Sequence, residues 1–280
     1  MLAVLLAASS SLCWGLADFF GGLQSRIRPL VTVLLVAQVA AVAMGIAFVV
    51  ASGDPFPDVE PAALATGAGV AGCAALAAFY RGLAIGTMSI VAPVSATGAA
   101  VPVLVGLAEG ERPGSLQVAG IVLAMIGIVL AAREPGGAAP GSAVRASLVL
   151  AGLAALGFGT FFVLIDRATE LGGAPWSLLL VRVGEVTLLG LLALATRPAM
   201  PTGLRDAAPL LGIGVLDFSA TAFFALATEK GLLSVVSVVG SLYPAVTVVL
   251  ARVVLAERVA RSQEVGVVLT LAGVVAISAG

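Results

Sequence analysis

Five ionisable side chains lie inside apolar stretches of this sequence: Asp18, Arg182, Glu185, Asp217 and Arg252. Such a group costs about 2.5–3.5 kcal/mol at the centre of a membrane helix on insertion scales, so something must compensate for it. Asp217 stands in Gly212-Ile-Gly214-Val-Leu-Asp217-Phe218-Ser219-Ala-Thr221, with no basic residue within a helical turn. One reading is a carboxyl that takes up a proton or a cation. The plainer one is a neutral acid bonded to a hydroxyl on a neighbouring helix. Glu185 follows Arg182 by three residues, which puts both on one helix face. A self-neutralising pair packed between helices competes there with a gating role. Asp18 and Arg252 lie at matching depth from the same side and could pair as a gate. Alternatively Arg252 snorkels to the interface and Asp18 faces a wet vestibule.

Around these charges, Trp14, Tyr80 and Tyr243 are the aromatic candidates for a binding cavity; Trp14 is four residues from Asp18 and Tyr243 adjoins Pro244. Aromatic side chains in such a chain otherwise face lipid. Pro93, Pro102 and Pro244 fall inside apolar spans, where each frees a carbonyl and bends its helix. Irregular backbone is tolerated at membrane depth only against protein or a wet cavity. Histidine is absent, which removes imidazole as base, ligand and pH sensor. Cys13 and Cys73 read as packing thiols rather than a disulfide or metal pair. Neither a His-Glu-x-x-His nor a Gly-x-Ser-x-Gly motif occurs, and there is no Walker motif. The expectation is therefore no catalytic residue, no metal site, no cofactor and no enzyme.

The elements that must position these residues follow from composition. The 280 residues are 60% hydrophobic and only 10% charged, with a mean hydropathy of +1.17. Soluble domains are about 45–50% apolar and about 25% charged. These figures exclude an ordinary soluble enzyme and a disordered chain, and a net charge of −1 excludes a nucleic-acid binder. Lipid must be part of the solvent, and a spanning helix takes about 20 residues. Pro, Gly and charge mark off ten candidate spans, near 2–23, 30–51, 61–80, 87–108, 115–132, 146–165, 176–196, 208–228, 235–256 and 262–279. The opening Leu2-Ala3-Val4-Leu5-Leu6 has no basic segment before it and reads as a retained span, not a removed signal. The expected fold class is all-α, an integral membrane protein of about ten transmembrane helices.

The spans form two halves, 1–132 and 146–280, joined by a linker at 133–145. Eight identities recur at an offset of 146: Glu111, Arg112, Gln117, Gly120, Val122, Leu123, Gly127 and Val129 against Glu257, Arg258, Gln263, Gly266, Val268, Leu269, Gly273 and Val275. Trp14-Gly15 aligns with Phe158-Gly159. Five spans is an odd number, so the second half enters from the opposite side and the repeats are inverted. Repeats of that kind place a substrate site near the midplane and work by alternating access. Loops after odd-numbered spans carry nine basic residues and loops after even-numbered spans three. The positive-inside rule then puts the odd loops in the cytoplasm and both termini outside. Glu111-Arg112 and Glu257-Arg258 precede spans five and ten, where an acid suits the helix dipole.

With these features together, the chain resembles the drug/metabolite transporter superfamily, EamA branch. The residues that carry the resemblance are Gly82-Leu83 and Gly231-Leu232, the Pro-bearing spans that follow, the acidic-basic loops, then Gln-x-x-Gly and a Gly-containing last span. It implies a central cavity lined mainly by spans one, three, four, six, eight and nine, with spans five and ten peripheral. It also implies cytoplasmic termini, against the charge count. The expected function is a secondary active transporter, an exporter of a small metabolite or drug across a bacterial inner or plasma membrane. Asp217 is the leading site residue, followed by Asp18 and Glu185. Expected partners are membrane lipid and a small-molecule solute, with protons and a second copy of the chain as candidates, and no nucleic acid. A non-transport membrane protein and a facilitative channel are the rival classes. Two midplane acids against one paired Arg182 lean toward cationic or zwitterionic solutes.

Overall fold

The computed structural model describes residues 1–85, 91, 94–131, 142–240, 242–254 and 261–279, and all regular structure among them is helical. The helices are α1 (Leu2–Ser25), α2 (Leu30–Ser52), α3 (Val59–Ile85), a 3₁₀ turn (Thr97–Ala99), α4 (Ala100–Ala108), α5 (Ser115–Ala131), α6 (Ser142–Gly172), α7 (Ala174–Thr196), α8 (Leu204–Thr228), α9 (Leu233–Gly240), α10 (Tyr243–Val254) and α11 (Arg261–Ala279). Six of them are long and apolar enough to cross a membrane: α1, α2, α3, α6, α7 and α8. At about 1.5 Å per residue, even the shortest of the six exceeds the roughly 30 Å of hydrocarbon. Their outer faces carry Val39, Ile46, Val50, Leu191 and other apolar side chains in the open, which is stable only in lipid.

Two expected spans differ in form from single bent helices. The span expected at 235–256 is split into α9 and α10, and Pro244 is the second residue of α10. The one expected at 87–108 carries a 3₁₀ turn before α4, and Pro102 is the third residue of α4. Pro244 starts a helix rather than bending one, since a first-turn N–H has no partner to lose, whereas Pro102 stands within the helical run Val94–Ala108. Pro93 lies outside the described residues. The helix α6 runs past both ends of its expected span, to Ser142 and Gly172.

The packing order follows small residues. The most extensive contacts are α3 with α6, α5 with α11 and α1 with α8, followed by α3 with α7, α2 with α8 and α2 with α7. Exchanging α1 with α6, α2 with α7 and α3 with α8 maps the pairs among these six long helices onto one another. Two pairs of close approaches obey the same exchange. Gly214 on α8 rests on the Ala37 carbonyl of α2, and Gly69 on α3 rests on the Val181 carbonyl of α7. A β-carbon on Gly15 would lie 2.8 Å from the Tyr243 carbonyl oxygen, and one on Gly159 would lie 2.6 Å from that of Gly98. On the α5–α11 contact, Gly273 faces the backbone of Gly120 and Ala124.

Short connections fix the two faces. On one, Arg28 in the α1–α2 connection pairs with Asp206 at the start of α8, at 2.5 Å, and Thr32 donates to the Ala199 carbonyl at 2.8 Å. On the other, Arg167 near the end of α6 pairs with Glu109 just after α4 and with Glu170. There too the α2–α3 connection is pinned to α7: the Trp176 indole donates to the Asp54 carbonyl at 2.9 Å, and Phe56 packs edge-on against its ring.

Candidate functional site

The most deeply buried charged side chain among the described residues is Arg182. Its side chain is 1% exposed, and the guanidinium would be prohibitive there without partners. It has three. Nη1 donates to Glu185 Oε2 at 2.7 Å and to Asp217 Oδ2 at 2.5 Å, and Nη2 donates to Thr221 Oγ1 at 2.6 Å. Arg182 and Glu185 lie one turn apart on α7, while Asp217 and Thr221 lie one turn apart on α8, so the cluster clamps the two helices together. The Phe218 ring lies under the guanidinium, 5.8 Å from centroid to Cζ, a distance suited to a cation–π contact. The Thr221 hydroxyl also bonds the Asp217 carbonyl at 3.0 Å.

Here the sequence expectation needs correcting. Asp217 has no cation within a helical turn of its own helix, but Arg182 reaches it across the α7–α8 interface. An isolated carboxyl was therefore the wrong picture, and the Arg182–Glu185 pair is not self-contained. Register between two helices is invisible to same-helix spacing.

A cavity opens beside this cluster. It is lined by Trp14 and Asp18 of α1, Gly72 and Leu76 of α3, Phe158, Phe161 and Phe162 of α6, Glu185, Asp217, Thr221 and Tyr243. Its volume, ≈ 50 Å³, holds only a few waters, so the walls are drawn close together. Asp18 receives a hydrogen bond from the Tyr80 hydroxyl at 3.2 Å. Tyr80 therefore stands behind Asp18 and is not itself among the lining residues.

Two aromatic groups wall the space. Trp14 meets Phe161, Phe162 and Phe224 at centroid distances of 6.2, 5.7 and 5.8 Å. Phe158 meets Phe79 and Tyr243 edge-on at 5.9 and 6.3 Å. Aromatic edges and faces in such contacts hold one another rigidly. Trp14 and Tyr243 were expected at a cavity and line it. Phe161 and Phe162 were missed, because an aromatic pair in an apolar span reads like any lipid-facing pair.

The lining departs from what the resemblance implied in two respects among the described residues: α7 contributes Glu185, and the span expected at 87–108 contributes none. The side chain of Arg252, the expected gate partner of Asp18, lies outside the described residues. Cys13 and Cys73 are free thiols, and among the described residues no group of three or more His, Cys, Asp or Glu side chains could hold a metal.

Glu111, read from the sequence as structural rather than a site residue, serves a helix terminus other than that of the span it precedes. Its carboxylate accepts the backbone N–H groups of Leu233 at 2.7 Å and Ser234 at 3.2 Å. It thus caps α9, in the other half of the chain, rather than serving the helix that follows it. Its repeat partner Glu257 lies outside the described residues.

A sequence model described as the EamA-like transporter family matches residues 1–133 and 145–279. No curated protein matches the chain significantly. Among solved structures 28 chains match. One crystal structure has a TM-score of 0.79 and 18% identity, covering 99% of this chain and 98% of that one, a likeness of fold.

Proposed function

We propose, from the premise that this chain belongs to the EamA-like transporter family, that it is a secondary active transporter exporting a small metabolite or drug by alternating access. The observation that carries the reading is the cavity. Acidic and aromatic side chains from α1, α6, α7, α8 and α10 meet at one narrow space in the middle of a multi-pass bundle. A solid bundle has no use for carboxyls at that depth, whose cost a transport site would justify.

The architecture we propose is ten spans in two inverted repeats, 1–132 and 146–280, with 133–145 between them. The exchange of α1, α2 and α3 with α6, α7 and α8 in the packing order supports it, as do the matched approaches of Gly15 and Gly159. Residues of both halves line the cavity, so rocking one half against the other would open it to each side in turn. Arg28–Asp206 ties the halves on one face and Arg167–Glu109 on the other. Exposed pairs of this kind are worth about 0.2–1 kcal/mol, weak enough to break and re-form in a transport cycle. The arginine-rich face would be cytoplasmic. Three carboxyls beside one guanidinium leave room for proton coupling, with Asp217 and Asp18 as the groups that would carry it.

The test is untargeted metabolite profiling of cells and medium for wild type, Asp217→Asn and empty vector at equal membrane levels. The reading expects a solute enriched in the medium by wild type and lost in the variant. Equal profiles for wild type and empty vector, across varied growth media, would contradict it.

A further inference from the structure

We infer that the cavity selects an organic monocation with an apolar body, an amine or a quaternary ammonium, and rejects anions and zwitterions. This rests on the transporter reading and deepens it.

Three carboxyl-bearing residues, Asp18, Glu185 and Asp217, line the cavity, and the Arg182 guanidinium does not. Arg182 stays behind the wall, with its hydrogen bonds turned to Glu185, Asp217 and Thr221. Its Nε is buried with no partner among the described residues, and the hydrogen bonds of the guanidinium all go to residues of the wall. Among the described lining residues there is thus no positive group to meet a carboxylate or phosphate. An anion would meet the Asp18 carboxyl and two carboxyls that already share the Arg182 guanidinium, and its charge would stay unpaired in a low-dielectric space. A zwitterion would satisfy its ammonium and leave its carboxylate unpaired, at the cost of a buried unpartnered charge.

The remaining surface is suited to the body of a cation. Trp14, Phe158, Phe161, Phe162 and Tyr243 line the same space, and aromatic faces attract ammonium groups, most of all when water is excluded. Asp18 and Asp217 offer separate carboxylates on α1 and α8. Asp18 is held by the Tyr80 hydroxyl and Asp217 by Arg182. Arg182 then acts as the resident counterion. In the empty cavity it is shared between Glu185 and Asp217, and an arriving ammonium supplies the positive charge that Asp18 otherwise lacks among these contacts.

Trp14 and Trp176 are the two tryptophans of the chain, and Trp176 sits in the pinned connection at one face. In a Trp176→Phe background the emission therefore reports on Trp14 in the cavity wall. Purified protein is titrated with four probes of one aromatic body: benzyltrimethylammonium, benzoate, phenylalanine and benzyl alcohol. The expected result is saturable quenching by benzyltrimethylammonium, with the other three at least ten-fold weaker. Asp217→Asn and Asp18→Asn should each weaken the cation at least five-fold, and Asp217→Glu should recover most of it. If Asp217→Asn does not fold, Asp18→Asn, outside the Arg182 cluster, decides. Benzoate or phenylalanine binding as tightly as the cation, no saturable response to the cation, or binding indifferent to both variants would overturn the inference.

The two readings fail separately. Export of a neutral or anionic solute without cation binding would remove the selectivity and keep the transporter. Cation binding without solute flux in reconstituted vesicles would keep the cavity chemistry and remove the transporter.

Discussion

Arg182 on α7 and Asp217 on α8 are joined across the helix interface at 2.5 Å, so two of the charges that are costliest to bury in this chain offset one another. That pairing turns an α7–α8 contact into the floor of a cavity. It also sets the energetic terms of any change there. Removing one member of a buried pair leaves an uncompensated charge, typically at about 3–5 kcal/mol, whereas removing both is often close to neutral. Arg182→Met should therefore lower the thermal midpoint of the detergent-solubilised protein markedly. Adding Asp217→Asn to it should recover part of the loss. A double variant no more stable than Arg182→Met would show that the pair is not coupled.

Gly214 and Gly212 lie on the same helix and give opposite expectations. The Gly214 position presses on the Ala37 carbonyl, while a β-carbon at Gly212 meets nothing within 4 Å. Gly214→Ala should overpack the α2–α8 contact and cost about 1–3 kcal/mol. Gly212→Ala should be neutral or gain up to about 1 kcal/mol from helix propensity. Unfolding midpoints of the two variants check this, and equal midpoints would contradict the packing described.

Arg197 ends α7 in the left-handed conformation, with φ of 44°. A β-carbon costs roughly 1–2 kcal/mol there, and glycine is the residue that helix ends of this type favour. Arg197→Gly should raise the unfolding midpoint, and Arg197→Val should lower it because of its branched β-carbon. A fall in Arg197→Gly would mean that the arginine side chain contributes more than its backbone strain costs.

Glu111 spans the two halves by capping α9. Loss of a cap costs about 0.5–2 kcal/mol, so Glu111→Ala should destabilise the protein and Glu111→Gln, which keeps an acceptor, should do so less. Hydrogen exchange of the Leu233 and Ser234 amides reads this directly: both should exchange faster in Glu111→Ala. Unchanged protection would contradict the cap.

Much of this was legible in the residues themselves. Composition alone required a membrane, and the apolar runs located the long helices to within a few residues, apart from the extended ends of α6. The depth of Asp18, Glu185 and Asp217 marked them as site candidates, since a buried charge is expensive wherever it lies. What spacing could not reveal was relations between helices. The Arg182–Asp217 pair depends on the register of α7 against α8, and the Glu111 cap on a contact 122 positions away. Phe161 and Phe162 are distinguished from lipid-facing aromatics only by what stands opposite them. Pro244 follows a break in its span, but a proline that starts a helix and one that bends it look alike in sequence.

The central claim is that the cavity opens to the two sides of the membrane in turn. Leu76 lines it, so a single cysteine there, in a background with Cys13→Ser and Cys73→Ala, reports access by a membrane-impermeant thiol reagent applied from either side in oriented vesicles. The account predicts labelling from both sides. Arg28→Gln should speed it from the Arg28–Asp206 face and slow it from the other, while Arg167→Gln should do the reverse. No labelling from either side would contradict a transport cavity. Labelling from both sides that neither variant shifts would contradict alternating access and point to an open channel.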